Sequence, residues 1–205
     1  MKIRSLALIV LLAFYPTSAR ATIITYTAIL NGASESPVNS SPGTGAATVI
    51  INDILNSMQV IVSFQGLVAP NSAAHIHCCT PGPGTGTAGV ATTTPTFTDF
   101  PGGVTAGTYN HLFDLTLPSS YNPAFVTAQG GSVVQAEAAL LAGMASGLTY
   151  LNIHSTTFPN GEIRGFLQVA PAAVPEPATL WLLGLGFAAG GLRTWRARRR
   201  AASND

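Results

Sequence analysis

The sequence predicts a mostly β protein, an antiparallel Greek-key-like sandwich or barrel with one helix near residues 133–146. Three observations support this fold class. Short stretches in which apolar and polar residues alternate recur along residues 23–169, and a period of two is typical of half-buried strands. Clusters of Gly, Pro, Asn and Ser separate these stretches, as in sheets joined by turns. Near residues 133–146, a capping sequence instead precedes a helical spacing of apolar residues.

The first predicted strands lie in the first third of the chain. Residues 23–30 alternate, with Tyr26 and Leu30 on one face. Residues 46–51 and 58–64 are predicted to pair as a hairpin, because the Asn, Asp and Ser residues between them favour turns.

Two further strands are predicted between residues 90 and 117. Residues 90–97 contain Pro95, which cannot donate a backbone hydrogen bond, so this stretch is predicted to be an edge strand. Residues 108–117 carry His111 among aromatic residues, which favours a hydrogen-bonded core or rim histidine over a metal ligand.

The predicted helix begins with a capping pattern at Ser132 and Gln135 and ends at Gly147. An apolar stripe is expected to pack on the sheet. Its predicted members are Val134, Ala138, Leu141 and Ala145.

Residues 73–79 combine two histidines with two cysteines. His75 and His77 project from the same face of a strand, within reach of one metal ion. Cys78 and Cys79 follow directly and are the only cysteines of the chain. A vicinal disulfide, an intermolecular disulfide and metal ligation are the three alternatives for them.

Residues 148–153 and 162–169 are predicted to form the last hairpin, because both alternate and Pro-Asn-Gly at 159–161 is typical of a tight turn. His154 lies at the end of its first strand. One hypothesis is that His154 completes a metal site with the earlier histidine pair, since imidazole suits copper and zinc. The alternative is that the three histidines hydrogen-bond backbone and loop groups where sheet edges meet.

The second strand of this hairpin holds Glu162 and Arg164. Arg164 is the only cation between residue 21 and the C-terminal tail, and it lies two residues from Glu162. We expect these two structural residues to form an ion pair within the hairpin.

The charge balance excludes some classes of function. Residues 22–177 hold one arginine, no lysine and seven acidic residues, a formal charge of −6. No nucleic-acid partner is expected, since binding phosphates depends on Lys and Arg. The Gly/Pro-rich loop at 80–89 lacks the Gly-Lys-Ser/Thr ending of a phosphate loop, and no GxSxG of a hydrolase occurs.

Residues 1–21 are predicted to be a signal peptide. Lys2 and Arg4 precede an apolar run at 6–14, and Ala-Arg-Ala at 19–21 fits a cleavage site. The β domain is expected to span residues 22–170 of an exported protein.

The C-terminal part has three segments. Residues 171–177 are a Pro/Ala linker that holds Pro175, Glu176 and Pro177, and residues 178–205 are predicted to be a transmembrane helix with an Arg-rich tail. About 15 apolar residues reach only ~22 Å of a ~30 Å bilayer core, which favours a transient membrane anchor. The arginines would hold the tail on the cytoplasmic side.

Two family resemblances follow from these motifs. The segment at 150–165 reads YLNIHSTTFPNGEIRG and resembles the closing motif of CHRD domains; the one at 74–77 reads AHIH and resembles their earlier motif. The resemblance covers about residues 25–169 and implies an extracellular, mostly β domain without a settled activity.

The order of PEP, apolar helix and Arg cluster over about residues 174–200 resembles the PEP-CTERM sorting signal. This resemblance implies a Gram-negative bacterium, export through the inner membrane, and a cell-surface or extracellular location. It also implies an exosortase-type membrane protease as partner, with processing near residues 175–177.

Three classes of function compete. We favour a structural or binding protein of the cell surface or extracellular matrix, with exopolysaccharide or surface proteins as candidate partners. The alternative is a copper- or zinc-binding module that uses His75, His77 and His154. An enzyme is least favoured: the His-x-His pair with a later His is similar to the copper site of Cu/Zn superoxide dismutases, but no zinc cluster follows.

Overall fold

The structure is a computed structural model that describes residues 22–171. The predicted signal peptide, the sorting motif at 175–177 and the predicted transmembrane helix at 178–205 lie outside the described residues. Within residues 22–171, no helix is both long and apolar enough to cross a membrane.

One curled, half-barrel sheet of antiparallel strands forms the described domain. Its strands in chain order are β1 (Ile23–Asn31), β2 (Thr44–Asn52), β3 (Ser57–Gln65), β4 (Asn71–His77), β5 (Gly107–Asp114), β6 (Tyr150–Ser155), β7 (Ile163–Phe166) and β8 (Gln168–Val169). Across the sheet the order is β4-β6-β7-β1-β2-β3-β5, and β8 pairs with β1. The predicted mostly β class is confirmed.

Both predicted hairpins are present. Strands β2 and β3 pair from Thr44 with Gln65 to Asn52 with Ser57, and β6 pairs with β7. The stretch at 162–169 forms two strands rather than one. The fully buried Leu167 separates them.

The core lies on one face of the sheet, where alternate residues of each long strand are buried. Fully buried examples are Leu30, Val49, Val60, Ile76, Leu151 and Ile163. The alternation of buried and exposed residues along these strands matches the period of two seen in the sequence.

Two α-helices, α1 (Pro123–Ala128) and α2 (Val133–Ala145), connect β5 to β6. The predicted helix α2 is confirmed, and the Ser132 side chain caps it by accepting a hydrogen bond from the Gln135 N–H. The prediction of a single helix was wrong. Helix α1 has only six residues, too few for an apolar period, although Asn122 caps it.

The predicted apolar stripe of α2 was also wrong. Val134 is 75 % exposed, Ala138 and Ala145 are exposed, and Leu141 is only half-buried. The buried face instead consists of Ala136, Leu140, Gly143 and Met144. Because α2 is rich in alanine, its faces differ little in hydrophobicity and the spacing alone does not select one.

Residues 90–97 do not form the predicted edge strand. Val90 and Thr92 make only isolated backbone bridges, to His77 and Tyr121. The segment nevertheless runs beside β4, and hydroxyls of Thr92 and Thr96 accept hydrogen bonds from N–H groups of β4. These hydroxyls pair with some of the backbone N–H groups on the free edge of β4, which a full strand would otherwise have bonded.

Candidate metal centre

Strand pairing brings the three predicted histidines together. In the β4–β6 register, His75 lies opposite Asn152, His77 opposite Tyr150, and Ala73 opposite His154. Side chains at alternate positions share one face, so the three imidazoles meet on the side of the sheet away from Ile76 and Leu151. One nitrogen from each ring lies within 4.8 Å of the corresponding nitrogens of the other two.

A backbone carbonyl binds one nitrogen of each ring. His75 Nε2 lies 2.7 Å from the Pro95 oxygen, His77 Nδ1 lies 2.9 Å from that of Ala88, and His154 Nδ1 lies 3.0 Å from that of Pro159. A carbonyl can only accept, so each of these ring nitrogens carries the hydrogen. The second nitrogen of each neutral ring therefore presents a lone pair.

These second nitrogens are buried and have no hydrogen-bond partner among residues 22–171. They are His75 Nδ1, His77 Nε2 and His154 Nε2. A buried polar atom without a partner is uncommon and costs free energy. Three such atoms in one cluster call for a specific explanation.

Burial keeps the imidazoles neutral. It lowers the pKa of His75 and of His77 to about 4, with a further lowering by the neighbouring imidazoles, while the hydrogen bonds to Pro95 and Ala88 oppose it. Burial also lowers the pKa of His154. At neutral pH each ring is in the form that can donate a lone pair to a metal ion.

The predicted ion pair between Glu162 and Arg164 was wrong. Arg164 Nε lies 3.8 Å from Glu35 Oε2, and both side chains are buried. Glu162 Oε1 instead accepts hydrogen bonds of 2.6 Å from the Ser41 hydroxyl and from the Val68 N–H. Contacts from distant loops thus replace the local pair.

Sequence reasoning missed Glu35. Burial raises the pKa of its carboxyl to about 7, although the charge of Arg164 and hydrogen bonds from Ser36 and Asn152 oppose the increase. A lone acidic residue in a Gly/Ser/Pro loop was the available signal. Nothing in the local sequence places that loop beside Arg164.

The two cysteines form a vicinal disulfide between Cys78 and Cys79. Of the three alternatives, the structure has this one, so neither residue offers a thiolate here. The disulfide packs against α2 at Gly143, where a Cβ would lie 2.5 Å from each sulfur. Glycine is therefore needed at this position.

The fourth histidine, His111, is separate from the cluster. It lies on β5, at the opposite edge of the sheet from β4. Its ring packs against Tyr109 and Phe113, and its Nδ1 lies 3.8 Å from Asp99. Among residues 22–171, the cluster of possible metal ligands does not include it.

Comparison with known proteins identifies the C-terminal motif. Residues 173–200 match the PEP-CTERM protein-sorting motif. PEP-CTERM signals are recognised by exosortase, a membrane enzyme, and mark proteins exported across the membrane of Gram-negative bacteria to the surface or beyond. The chain is therefore an exported, sorted surface protein.

The comparison also covers the folded domain. Neither the curated proteins nor the solved structures contain a match to this chain. The family model of the CHRD domain matches residues 26–167, which include β2–β7 and all three clustered histidines. The chain therefore belongs to the CHRD domain family.

Proposed function

We propose that this exported domain binds one copper or zinc ion through His75 Nδ1, His77 Nε2 and His154 Nε2. The observation that carries the proposal is the cluster of three buried ring nitrogens without hydrogen-bond partners. A structural or partner-binding role at the cell surface or in the matrix, with exopolysaccharide or surface proteins as partners, stays a prediction. So does copper redox catalysis.

Energetics favour ligation over an ordinary buried histidine cluster. Leaving a buried acceptor unpaired costs about 1–3 kcal/mol, and this cluster holds three such acceptors. A cation satisfies all three lone pairs at once, whereas the imidazoles cannot satisfy one another because their hydrogens already bind carbonyls.

The donor set suits copper and zinc. Imidazole nitrogens bind these ions well, and metal-bound histidines typically donate their other N–H to a carbonyl or carboxylate, as all three rings do here. With Zn–N bonds of about 2.1 Å, tetrahedral ligands lie about 3.4 Å apart. One nitrogen of each ring lies within 4.8 Å of a nitrogen of the other two, so binding an ion requires the rings to move closer together.

Calorimetric titration of the purified protein with Cu(II) and Zn(II) tests the proposal. We expect one ion per chain, and we expect His75→Ala and His154→Ala each to weaken binding by at least about 100-fold, since each removes a direct ligand. His111→Ala is the matched control because it removes the remaining histidine at the opposite edge of the sheet. Wild-type binding no tighter than about 0.1 mM, the level of scattered surface imidazoles, would contradict the proposal.

We also propose that exosortase removes the tail near residues 175–177. The form recovered outside the cell is expected to lack everything after about Pro177, and mass spectrometry of its C-terminal peptide checks this. Replacing the arginines of the tail (Arg193, Arg196, Arg198, Arg199 and Arg200) with glutamine should impair retention and processing, because the cytoplasmic charge is lost. An intact 193–200 peptide on the secreted form would refute the cleavage.

A further inference from the structure

We propose that Tyr150, supported by Arg164, is a positioning residue for the metal centre. Tyr150 holds both the ring of His77 and the carbonyl that selects its tautomer. This inference rests on the proposed metal-binding function and adds two residues that do not themselves ligate the ion.

The first contact is a parallel stack. His77 and Tyr150 are direct partners in the β4–β6 register, and their ring centroids lie 4.7 Å apart with an angle of 8° between the planes. Tyr150 is 2 % exposed, so its ring is fixed by packing on all sides. The stack restricts rotation of the imidazole about its side-chain bonds and thereby limits where Nε2 can lie.

The second contact involves the phenol group. The Tyr150 hydroxyl accepts a hydrogen bond from the Ala88 N–H and lies within hydrogen-bond distance of the Ala88 oxygen, both at 3.2 Å. The same Ala88 oxygen accepts the hydrogen of His77 Nδ1 at 2.9 Å. Ala88 belongs to no helix or strand. The tyrosine hydroxyl therefore helps to hold the carbonyl that leaves His77 Nε2 free to bind metal.

Arg164 also contacts this assembly. Its guanidinium carbon lies 4.7 Å from the centre of the Tyr150 ring, and its Nη1 donates a hydrogen bond of 3.1 Å to the Gly86 oxygen. Gly86 precedes Ala88 by two residues, so Arg164 and Tyr150 anchor one short segment. Arg164 is itself held by the carbonyl oxygen of Ser34 and by Glu35.

The competing explanation is that Tyr150 is only a core aromatic residue. The variant Tyr150→Phe separates the two roles, because it keeps the ring, its burial and the stack and removes only the hydroxyl. A purely packing role predicts unchanged metal affinity. A positioning role predicts a loss, and the partners that orient metal-bound histidines typically contribute 10–100-fold in affinity.

The test measures Zn(II) affinity by competition with a chromophoric chelator, together with the Cu(II) electron paramagnetic resonance spectrum, on the full purified protein. Tyr121→Phe is the matched control, since Tyr121 and Tyr150 are each only 2 % exposed and the Tyr121 hydroxyl donates one hydrogen bond to the Leu115 oxygen. We expect Tyr150→Phe to bind Zn(II) about 10–100-fold more weakly and to alter the Cu(II) hyperfine coupling, with Tyr121→Phe unchanged in both.

A second variant, Arg164→Lys, keeps the charge but loses the planar group that stacks on Tyr150 and reaches Gly86. Provided that circular dichroism shows the native fold, it is expected to weaken Zn(II) binding in the same direction. If Tyr150→Phe keeps the Zn(II) affinity and the Cu(II) spectrum of the wild type, the positioning role is overturned and the proposed metal binding is not. Failure of the wild type to bind either ion would overturn the proposed function and this inference with it.

Discussion

Replacing Arg164 with methionine is expected to lower the free energy of unfolding by about 3–5 kcal/mol at pH 8, the usual effect of removing one partner of a buried ion pair. Arg164 is 4 % exposed and Glu35 is 6 % exposed. Methionine fills similar space without the charge or the hydrogen bonds. Glu35 must then either stay ionised without its cation or take up a proton, and the carbonyl oxygens of Ser34 and Gly86 lose their donor. Chemical denaturation at pH 8 measures the loss.

The size of this loss should depend on pH. Because the pKa of Glu35 is raised to about 7, the carboxyl is ionised at pH 8 and mostly protonated at pH 5.5. A neutral carboxyl needs no cation, so the same variant should cost less at pH 5.5. The double variant with Glu35→Gln should recover part of the stability at pH 8. An equal loss at both pH values would contradict the ionic contribution.

Metal-free protein is expected to lose stability as pH falls from 7 to 4.5. The folded-state pKa values of His75 and His77 are about 4, whereas unfolded histidines titrate near 6.5. Between these values the unfolded chain binds more protons than the folded chain, so falling pH favours unfolding. The full stabilising effect is present above about pH 6.5.

The titration of Glu35 changes the free energy of unfolding in the opposite direction. Its folded pKa of about 7 lies above the unfolded value, so its contribution to stability is present at low pH and is lost as pH rises through 7. Two histidines against one carboxyl leave a net loss of roughly 2 kcal/mol between pH 7 and 4.5.

Denaturation midpoints of chelator-treated protein across this range provide the check. His77→Gln should flatten the profile because glutamine does not titrate. A midpoint that stays constant or rises as the wild type is acidified would show that the histidines are not buried in their neutral form.

The sequence was most informative where structure is local. Alternation predicted both hairpins, and the capping sequence at Ser132 predicted the start of α2, because neighbours in sequence make those contacts. It was least informative about which face of a helix is buried and about the presence of short helices. The alanine-rich α2 offered no contrast between its faces, and six-residue α1 was too short to show a period.

The order of strands across the sheet determined what could be predicted of the site. That His75 and His77 share a face follows from their spacing, but the proximity of His154 requires β4 to pair with β6, which no local pattern specifies. Likewise, β7 lies beside β1, with Arg164 opposite Asn31, and this places Glu35 at Arg164. Long-range pairing therefore replaced the expected pair with Glu162.

The hydrogen bonds that orient the histidine rings could not be predicted from the sequence, for a different reason. The acceptors of the three ring hydrogens are backbone oxygens of Pro95, Ala88 and Pro159. A main-chain carbonyl can belong to any residue, so side-chain identity does not reveal it. The tautomers, and hence the three free nitrogens, emerge only from the folded chain.

The metal-binding proposal is tested most directly by anomalous diffraction from crystals grown with Zn(II), recorded on both sides of the zinc absorption edge. We expect a single anomalous peak about 2.0–2.1 Å from His75 Nδ1, His77 Nε2 and His154 Nε2, with the opposite ring nitrogens still bound to the three carbonyls. A peak at His111, ligation through the other nitrogens of the cluster, or crystals without a zinc peak at these three histidines would contradict it.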